Sequence, residues 1–285
     1  MIFLWLSIFS SSLIYVLFKI RKQLGINLTA IIIINYLFAT VFGLLVFGFN
    51  NTLTAIKHSN WSWLALLIGV FFVVMFYLIG ISTQKAGIAI STIATRMSMI
   101  IPISFSVFIF DENLGIGKAL KICIALIAVL LAIYQPINKA KKISFAILPL
   151  ILFIGSGSVD TLVKTAQHLY VPSNEVTFFS TVLFATSFFA SLLLPILTPR
   201  VRVNFNSKTI LTGIVLGAAN FGSLYFFMNA LHHSGLDSSI VFGINNLAIV
   251  AISLTLGFLI FKEKLSTINK VGIILSLISI ALLSF

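Results

Sequence analysis

The sequence is short of charge, of acid and of cysteine, and each shortage excludes something. Only 8% of its 285 residues are Asp, Glu, Lys or Arg, whereas a soluble domain carries about 25%. A water-facing surface cannot be built from so few charges, so a soluble globular domain is excluded. The six acids and four histidines show no metal-ligand spacing. The single cysteine, Cys123, leaves no intramolecular disulfide and no cysteine metal cluster. There is no GxxxxGK[ST] phosphate loop, so no ATP-driven pump is encoded in this chain. No Gly-x-Ser-x-Gly nucleophile elbow occurs either. The sequence therefore predicts neither an enzyme nor a cofactor.

What is abundant is apolar length. Hydrophobic residues make up 60% of the chain and the mean hydropathy is +1.17. Apolar runs of about 20 residues recur from end to end, each long enough to cross a bilayer core of about 30 Å. The alternating segments of about 10 residues that build a membrane barrel are absent. The pattern predicts an all-α integral membrane protein of about ten transmembrane helices, at roughly 2–18, 28–49, 61–81, 87–110, 116–134, 144–166, 174–197, 208–231, 237–261 and 266–284. The first run, Ile2–Phe18, has no basic region before it and is too long for a signal-peptide core, so it is expected to be a permanent helix.

The net charge of +12 lies in short loops between spans, the placement that retains loops in the cytoplasm, and not in a nucleic-acid patch. Lys19, Arg21, Lys22, Lys85, Lys139, Lys141, Lys142, Arg200, Arg202, Lys208, Lys262, Lys264 and Lys270 fall on one side. Only Lys57, Lys118, Lys121 and Lys164 fall on the other. Loop charge thus predicts both termini outside.

The chain also repeats itself. Aligning Glu112 with Glu263 pairs Ile109-Phe110 with Ile260-Phe261 and Leu114 with Leu265. At nearly the same offset Leu37-Phe38-Ala39-Thr40 recurs as Leu183-Phe184-Ala185-Thr186, and Lys19 matches Lys164. This predicts two halves, 1–142 and 143–285. Five crossings per half is an odd number, so the halves are expected to be inverted relative to each other, a recurring transporter plan.

On these residues the sequence resembles the drug/metabolite transporter superfamily, in particular its EamA-like ten-helix members. The likeness is carried by IPISFSVFIFDENL, with Pro102 and Glu112, and by its partner LTLGFLIFKEKL, with Glu263. Lys19, Lys164 and Gly272 fit as well. The resemblance implies a secondary transporter or exporter of small metabolites, with a central cavity lined by helices one, three, four, six, eight and nine. It implies cytoplasmic termini, against the loop charge. The sequence departs from a strict repeat at Ser253, which stands where the first half has Pro102, and at Arg96, which has no counterpart.

Arg96 is the first candidate for chemistry. It lies about ten residues into its span, where a charge costs at least about 2.5 kcal/mol. Thr92, Met99 and Ile103 share its helix face. Either it offers a guanidinium fork to a substrate carboxylate or phosphate, or it forms a fixed ion pair with Asp160. Asp160 sits in the polar run Gly155-Ser156-Gly157-Ser158-Val159-Asp160-Thr161, four residues before Lys164. The two form a simple i, i+4 pair, or Asp160 takes up a proton during transport. Asn245 and Asn246 stand close to the repeat position of Arg96, and Tyr15 stands at that of Asp160. Asn220, Tyr225 and Tyr77 complete the expected substrate-contacting set, with helix bridging as the alternative for the amides. Gly155 and Gly157 are expected to permit close helix packing, and Pro102 to bend the span beside Arg96. Glu112 and Glu263 are expected to be structural, next to Asn113 and Ser266 as caps of the helices that follow.

The sequence therefore predicts a secondary transporter in a bacterial inner membrane, exporting small metabolites such as amino acids by alternating access. Its expected partners are the lipid bilayer, a small-molecule substrate and a coupled proton or exchanged metabolite, with no nucleic acid, and the chain acts as a monomer or homodimer. Efflux of hydrophobic or cationic drugs is the alternative within the class. A membrane scaffold or an intramembrane enzyme is the alternative outside it.

Overall fold

A computed structural model describes residues 1–47, 60–109, 116–134, 144–172, 175–197, 203–236 and 238–284. These fold into helices and their connections, with no strand among the described residues. In chain order they are α1 (Ile2–Ile20), α2 (Leu28–Phe47), α3 (Ser62–Lys85), α4 (Ile88–Met97), α5 (Ile100–Ile109), α6 (Ile116–Ile133), α7 (Ser144–Leu169), α8 (Val176–Ser191), α9 (Ser207–His233), α10 (Ser238–Thr255) and α11 (Thr267–Ser284). A single turn at Leu194–Leu197 follows α8, and a π-helical turn at Leu256–Ile260 prolongs α10.

Five of the described helical segments are long and apolar enough to cross a membrane: Ile2–Ile20, Leu28–Val46, Ser62–Lys85, Ile147–Ala166 and Ser207–Leu231. Five shorter apolar stretches accompany them: Ile88–Pro102, Cys123–Ala132, Phe178–Ser191, Ile244–Ile260 and Thr267–Ser279. This is an all-α architecture compatible with a membrane location. Helices suit that setting because each satisfies its own backbone groups where no water can. The outer surface agrees: Trp5, Phe9, Leu45, Leu66, Phe189 and Leu193 are exposed, an arrangement disfavoured in water and ordinary in hydrocarbon. Ser7, Ser11, Asn35, Ser82, Ser91 and Thr92 are buried instead.

The helices pack as a bundle in which α1 lies on α9 and α10, α2 on α8 and α9, α3 on α7 and α8, and α4 on α7 and α10. The most extensive pairing is α6 with α11. There Gly272 brings the two backbones together, since a Cβ on it would fall 2.5–2.6 Å from the Leu131 carbonyl carbon and the Ala132 Cα. Small residues of this kind drive helix association where water supplies no hydrophobic force. Asn269 completes the contact by donating to the Ala132 carbonyl at 2.9 Å and the Tyr134 carbonyl at 2.6 Å.

The fourth apolar run, read from sequence as one helix over 87–110, is two. Helix α4 ends at Met97 and α5 begins at Ile100. Pro102 has no N–H for the Ser98 carbonyl, which accepts instead from Ile101 N at 2.9 Å. The expected bend is thus a break at Ser98-Met99, two residues beyond Arg96. The corresponding run in the second half has no proline, and α10 passes Ser253 unbroken before its π turn.

One end of the bundle is closed by Glu263. The chain turns through Lys262 with φ at 50°, an uncommon conformation for a residue with a side chain, and the Glu263 carboxylate points back toward α4. It accepts from the backbone N–H groups of Ile88 at 2.8 Å and Ala89 at 3.3 Å, and from Lys19 Nζ at 2.6 Å. Gly87, with φ at 101°, makes room: a Cβ there would fall 2.7–2.9 Å from both carboxylate oxygens. Lys19 also reaches the Thr83 carbonyl at 3.4 Å and the Phe261 ring, while Gln84 Nε2 donates to the Phe18 and Lys19 carbonyls. Glu263 is structural, as expected, and the helix start it caps is that of α4. Ser266 caps α11, accepting from Asn269 N at 3.2 Å. Glu112 and Asn113 lie outside the described residues. Elsewhere α3 and α8 are tied where the buried Trp61 donates to Glu175 at 2.9 Å.

Candidate functional site

Beside the break between α4 and α5 lies a cavity of about 240 Å³. Its polar lining is Tyr15 and Tyr36 from α1 and α2, Thr95 and Arg96 from α4, Ser156 and Asp160 from α7, and Asn220 and Ser223 from α9. Its apolar lining is Ile14 from α1, the stripe Phe72, Met75, Phe76 and Ile79 from α3, and Val159 from α7. Drug-sized ligands occupy about 300–1,000 Å³, so this cavity suits a smaller molecule.

Arg96 stands in the last turn of α4. The partial negative charge of that helix end favours a cation there by about 0.3–2 kcal/mol, one physical reason for an arginine at this position. Its Nε is buried and has no hydrogen-bond partner. Asp160 lines the same cavity and accepts from Ser98 Oγ at 3.3 Å. No ion pair joins Arg96 to Asp160, so the fixed pair offered by the sequence as an alternative does not form. The cavity therefore presents a cation and an anion that do not neutralise each other by direct contact. Lys164, one turn beyond Asp160, is exposed and lies off the cavity lining.

Tyr15 reaches Thr95 Oγ1 at 2.5 Å. Thr95 Oγ1 also lies 3.1 and 3.0 Å from the carbonyls of Ser91 and Thr92. The Tyr15 hydroxyl is thus engaged with the protein, and Tyr15 serves the cavity as a wall. Asn220 approaches Asn35 of α2, whose amide, oriented with its nitrogen toward the Leu216 carbonyl, accepts from Asn220 Nδ2 at 3.2 Å.

The remaining expected residues are placed away from the cavity lining. Thr92 is buried with its Oγ1 unpartnered. Asn245 accepts from Ser7 Oγ at 3.2 Å, and Ser7 also approaches the Ser223 carbonyl at 3.0 Å, which links α1, α9 and α10. Asn246 donates to Met99 Sδ at 3.3 Å, holding α10 against the break. Both amides thus serve as helix bridges here. Tyr77 packs among the apolar residues of α1, α2 and α3. Tyr225 stacks on Phe221 with centroids 5.5 Å apart and planes 14° apart. So Arg96, Asp160, Tyr15 and Asn220 come together, whereas Thr92, Asn245, Asn246, Tyr77, Tyr225 and Lys164 do not join them. The α9 helix lines the cavity as expected, α10 does not, and α2 contributes Tyr36.

Sequence reasoning missed the α3 stripe, Tyr36 and Asn35. The stripe spacing, 72, 75, 76 and 79, is helical and visible in the sequence, but an all-apolar helix offers several such stripes and nothing marks the one that faces a cavity.

No family model matches the chain. It is 29% identical over 281 residues to an uncharacterized protein of Haemophilus influenzae, covering 96% of this chain and 94% of that protein. A solved crystal structure, 14% identical, superposes with a TM-score of 0.57 over 97% of this chain and 94% of its own. At that identity the likeness is one of fold alone.

Proposed function

We propose that this chain is a ten-span, EamA-like secondary transporter of the drug/metabolite transporter kind, seated in a bacterial inner membrane. It moves small zwitterionic metabolites such as amino acids through the cavity by alternating access, and export is the expected direction. The observation that carries the reading is Arg96, a half-buried arginine in mid-bundle whose buried Nε has no partner and which shares a small cavity with Asp160. A charge held at that cost inside an apolar bundle is functional by default. The pair of opposite charges suits a ligand that carries both, with its carboxylate on Arg96 and its ammonium on Asp160.

Part of the packing corresponds between the two halves, and their inversion rests on the odd number of spans in each. Exchanging each span for the one five places along turns the α1–α9 contact into α7–α3, α2–α9 into α8–α3, and α1–α10 into α7–α4, and all of these contacts exist. The break beside Arg96 matches the interrupted helices on which such transporters place their sites. The Lys19–Glu263 contact ties the first half to the second, and rocking the halves apart has to separate it.

The test is counterflow in proteoliposomes of labelled amino acids, nucleotides and organic cations, with and without a pH gradient. Saturable movement of a zwitterion supports the reading, and acceleration by the gradient that is lost in Asp160→Asn assigns the proton to Asp160. Movement of organic cations alone rejects it in favour of drug efflux. No movement of any zwitterion rejects it too.

A further inference from the structure

We infer that the cavity takes amino acids with an apolar side chain, and that Gly155, which lies off the cavity lining, fixes the largest side chain admitted. The inference rests on the zwitterion reading above. Of the polar lining besides the two charges, Ser223 Oγ is engaged with the Asn220 carbonyl and Asn220 Nδ2 with Asn35, and the face left to the side chain of a ligand held by both charges is that of Ile14, Phe72, Met75, Phe76, Ile79 and Val159. That wall offers carbon and one thioether sulfur and no hydrogen-bonding group for a polar side chain to replace its water.

Met75 is the movable part of the wall. It is buried at 7% exposure and lies between the cavity and Gly155 of α7. A Cβ on Gly155 would overlap Met75 Sδ and fall 2.8 Å from its Cε. A methionine side chain is flexible and repacks readily. Met75 belongs to a cluster of buried residues that includes Ile93, Ala94, Leu152 and Phe153, and the cavity is the open space it borders. A methyl at 155 therefore drives the thioether into the space that the substrate side chain occupies. Gly155 acts through Met75 and is a positioning residue.

The experiment is counterflow of alanine, valine, leucine and phenylalanine by the full chain in proteoliposomes, comparing wild type, Gly155→Ala, Met75→Ala and the double variant. For the largest side chain that wild type accepts, Gly155→Ala should raise KM about tenfold or more, the effect of one methylene in a tight pocket, and leave alanine within about twofold. Adding Met75→Ala should restore the lost substrate. Met75→Ala alone should extend acceptance to the next larger side chain, which keeps the inference testable if Gly155→Ala does not fold. Equal loss for every side chain, or an unchanged size profile in Met75→Ala, overturns it. In those cases the transport reading survives, because wild type still moves zwitterions. A wild type that moves none removes both.

Discussion

Replacing Glu263 by alanine takes three partners from one carboxylate. Lys19, with 19% of its side chain exposed, keeps only the Thr83 carbonyl at 3.4 Å and the edge of its contact with Phe261. Breaking a buried pair from one side costs about 3–5 kcal/mol, and the partial exposure of Lys19 places this case at the lower end. Loss of the cap on Ile88 and Ala89 would by itself cost about 0.5–2 kcal/mol, and it overlaps with the first figure because the same carboxylate serves both. A total of about 3 kcal/mol follows, or about 6–12 °C in Tm by the scaling of larger domains. Glu263→Gln keeps an acceptor for the amides and loses only the charge, so it should cost about half as much. Lys19→Met should cost less than Glu263→Ala, because the carboxylate it leaves behind keeps two N–H donors at a helix N-terminus. The assay is thermal unfolding of the purified chain in detergent, followed by tryptophan fluorescence and by loss of the monodisperse peak. If Glu263→Ala melts within about 1 °C of wild type, the carboxylate is not the tie described.

Other substitutions have expected outcomes of different kinds. Tyr15→Phe removes the hydrogen bond to Thr95 and should cost about 1 kcal/mol of stability while leaving substrate KM nearly unchanged, measured by unfolding and counterflow together. Asp160→Asn should raise KM for a zwitterion about 10- to 100-fold, the value of about 1.5–3 kcal/mol for a charged hydrogen bond, and abolish any response to a pH gradient. Gly272→Leu places a side chain where α6 and α11 backbones meet and should destabilise by at least about 1–3 kcal/mol, read as lost monodispersity in detergent.

The class of fold was legible in the sequence because it rests on composition and run length, which report directly on solvent. The break in the fourth run was partly legible, since a proline removes a backbone donor wherever it stands. Its sharpness was not, because that depends on what packs around Ser98 and Met99. Arg96 and Asp160 stood out as charges where charges are costly, and the structure brings them to one cavity. The amides were harder. Asn245 and Asn246 have the same local signature as Asn220, and only the direction of each side chain separates a helix bridge from a cavity wall. That direction is set by neighbours on α1, α9 and the break, which no single helix encodes. Glu263 shows the same limit: the sequence places it just before α11, while a left-handed turn at Lys262 delivers it to α4, some 175 positions away in the chain.

The most direct measurement is saturable counterflow of a labelled zwitterionic amino acid by wild type, Arg96→Lys and Arg96→Ala in proteoliposomes. An arginine fork that holds the carboxylate predicts that Arg96→Ala loses transport by about 100-fold or more, matching about 3 kcal/mol for a charged, desolvated contact. It predicts that Arg96→Lys recovers only part of it, because a point charge cannot form the two parallel bonds. Transport by Arg96→Ala at the wild-type rate would contradict the account.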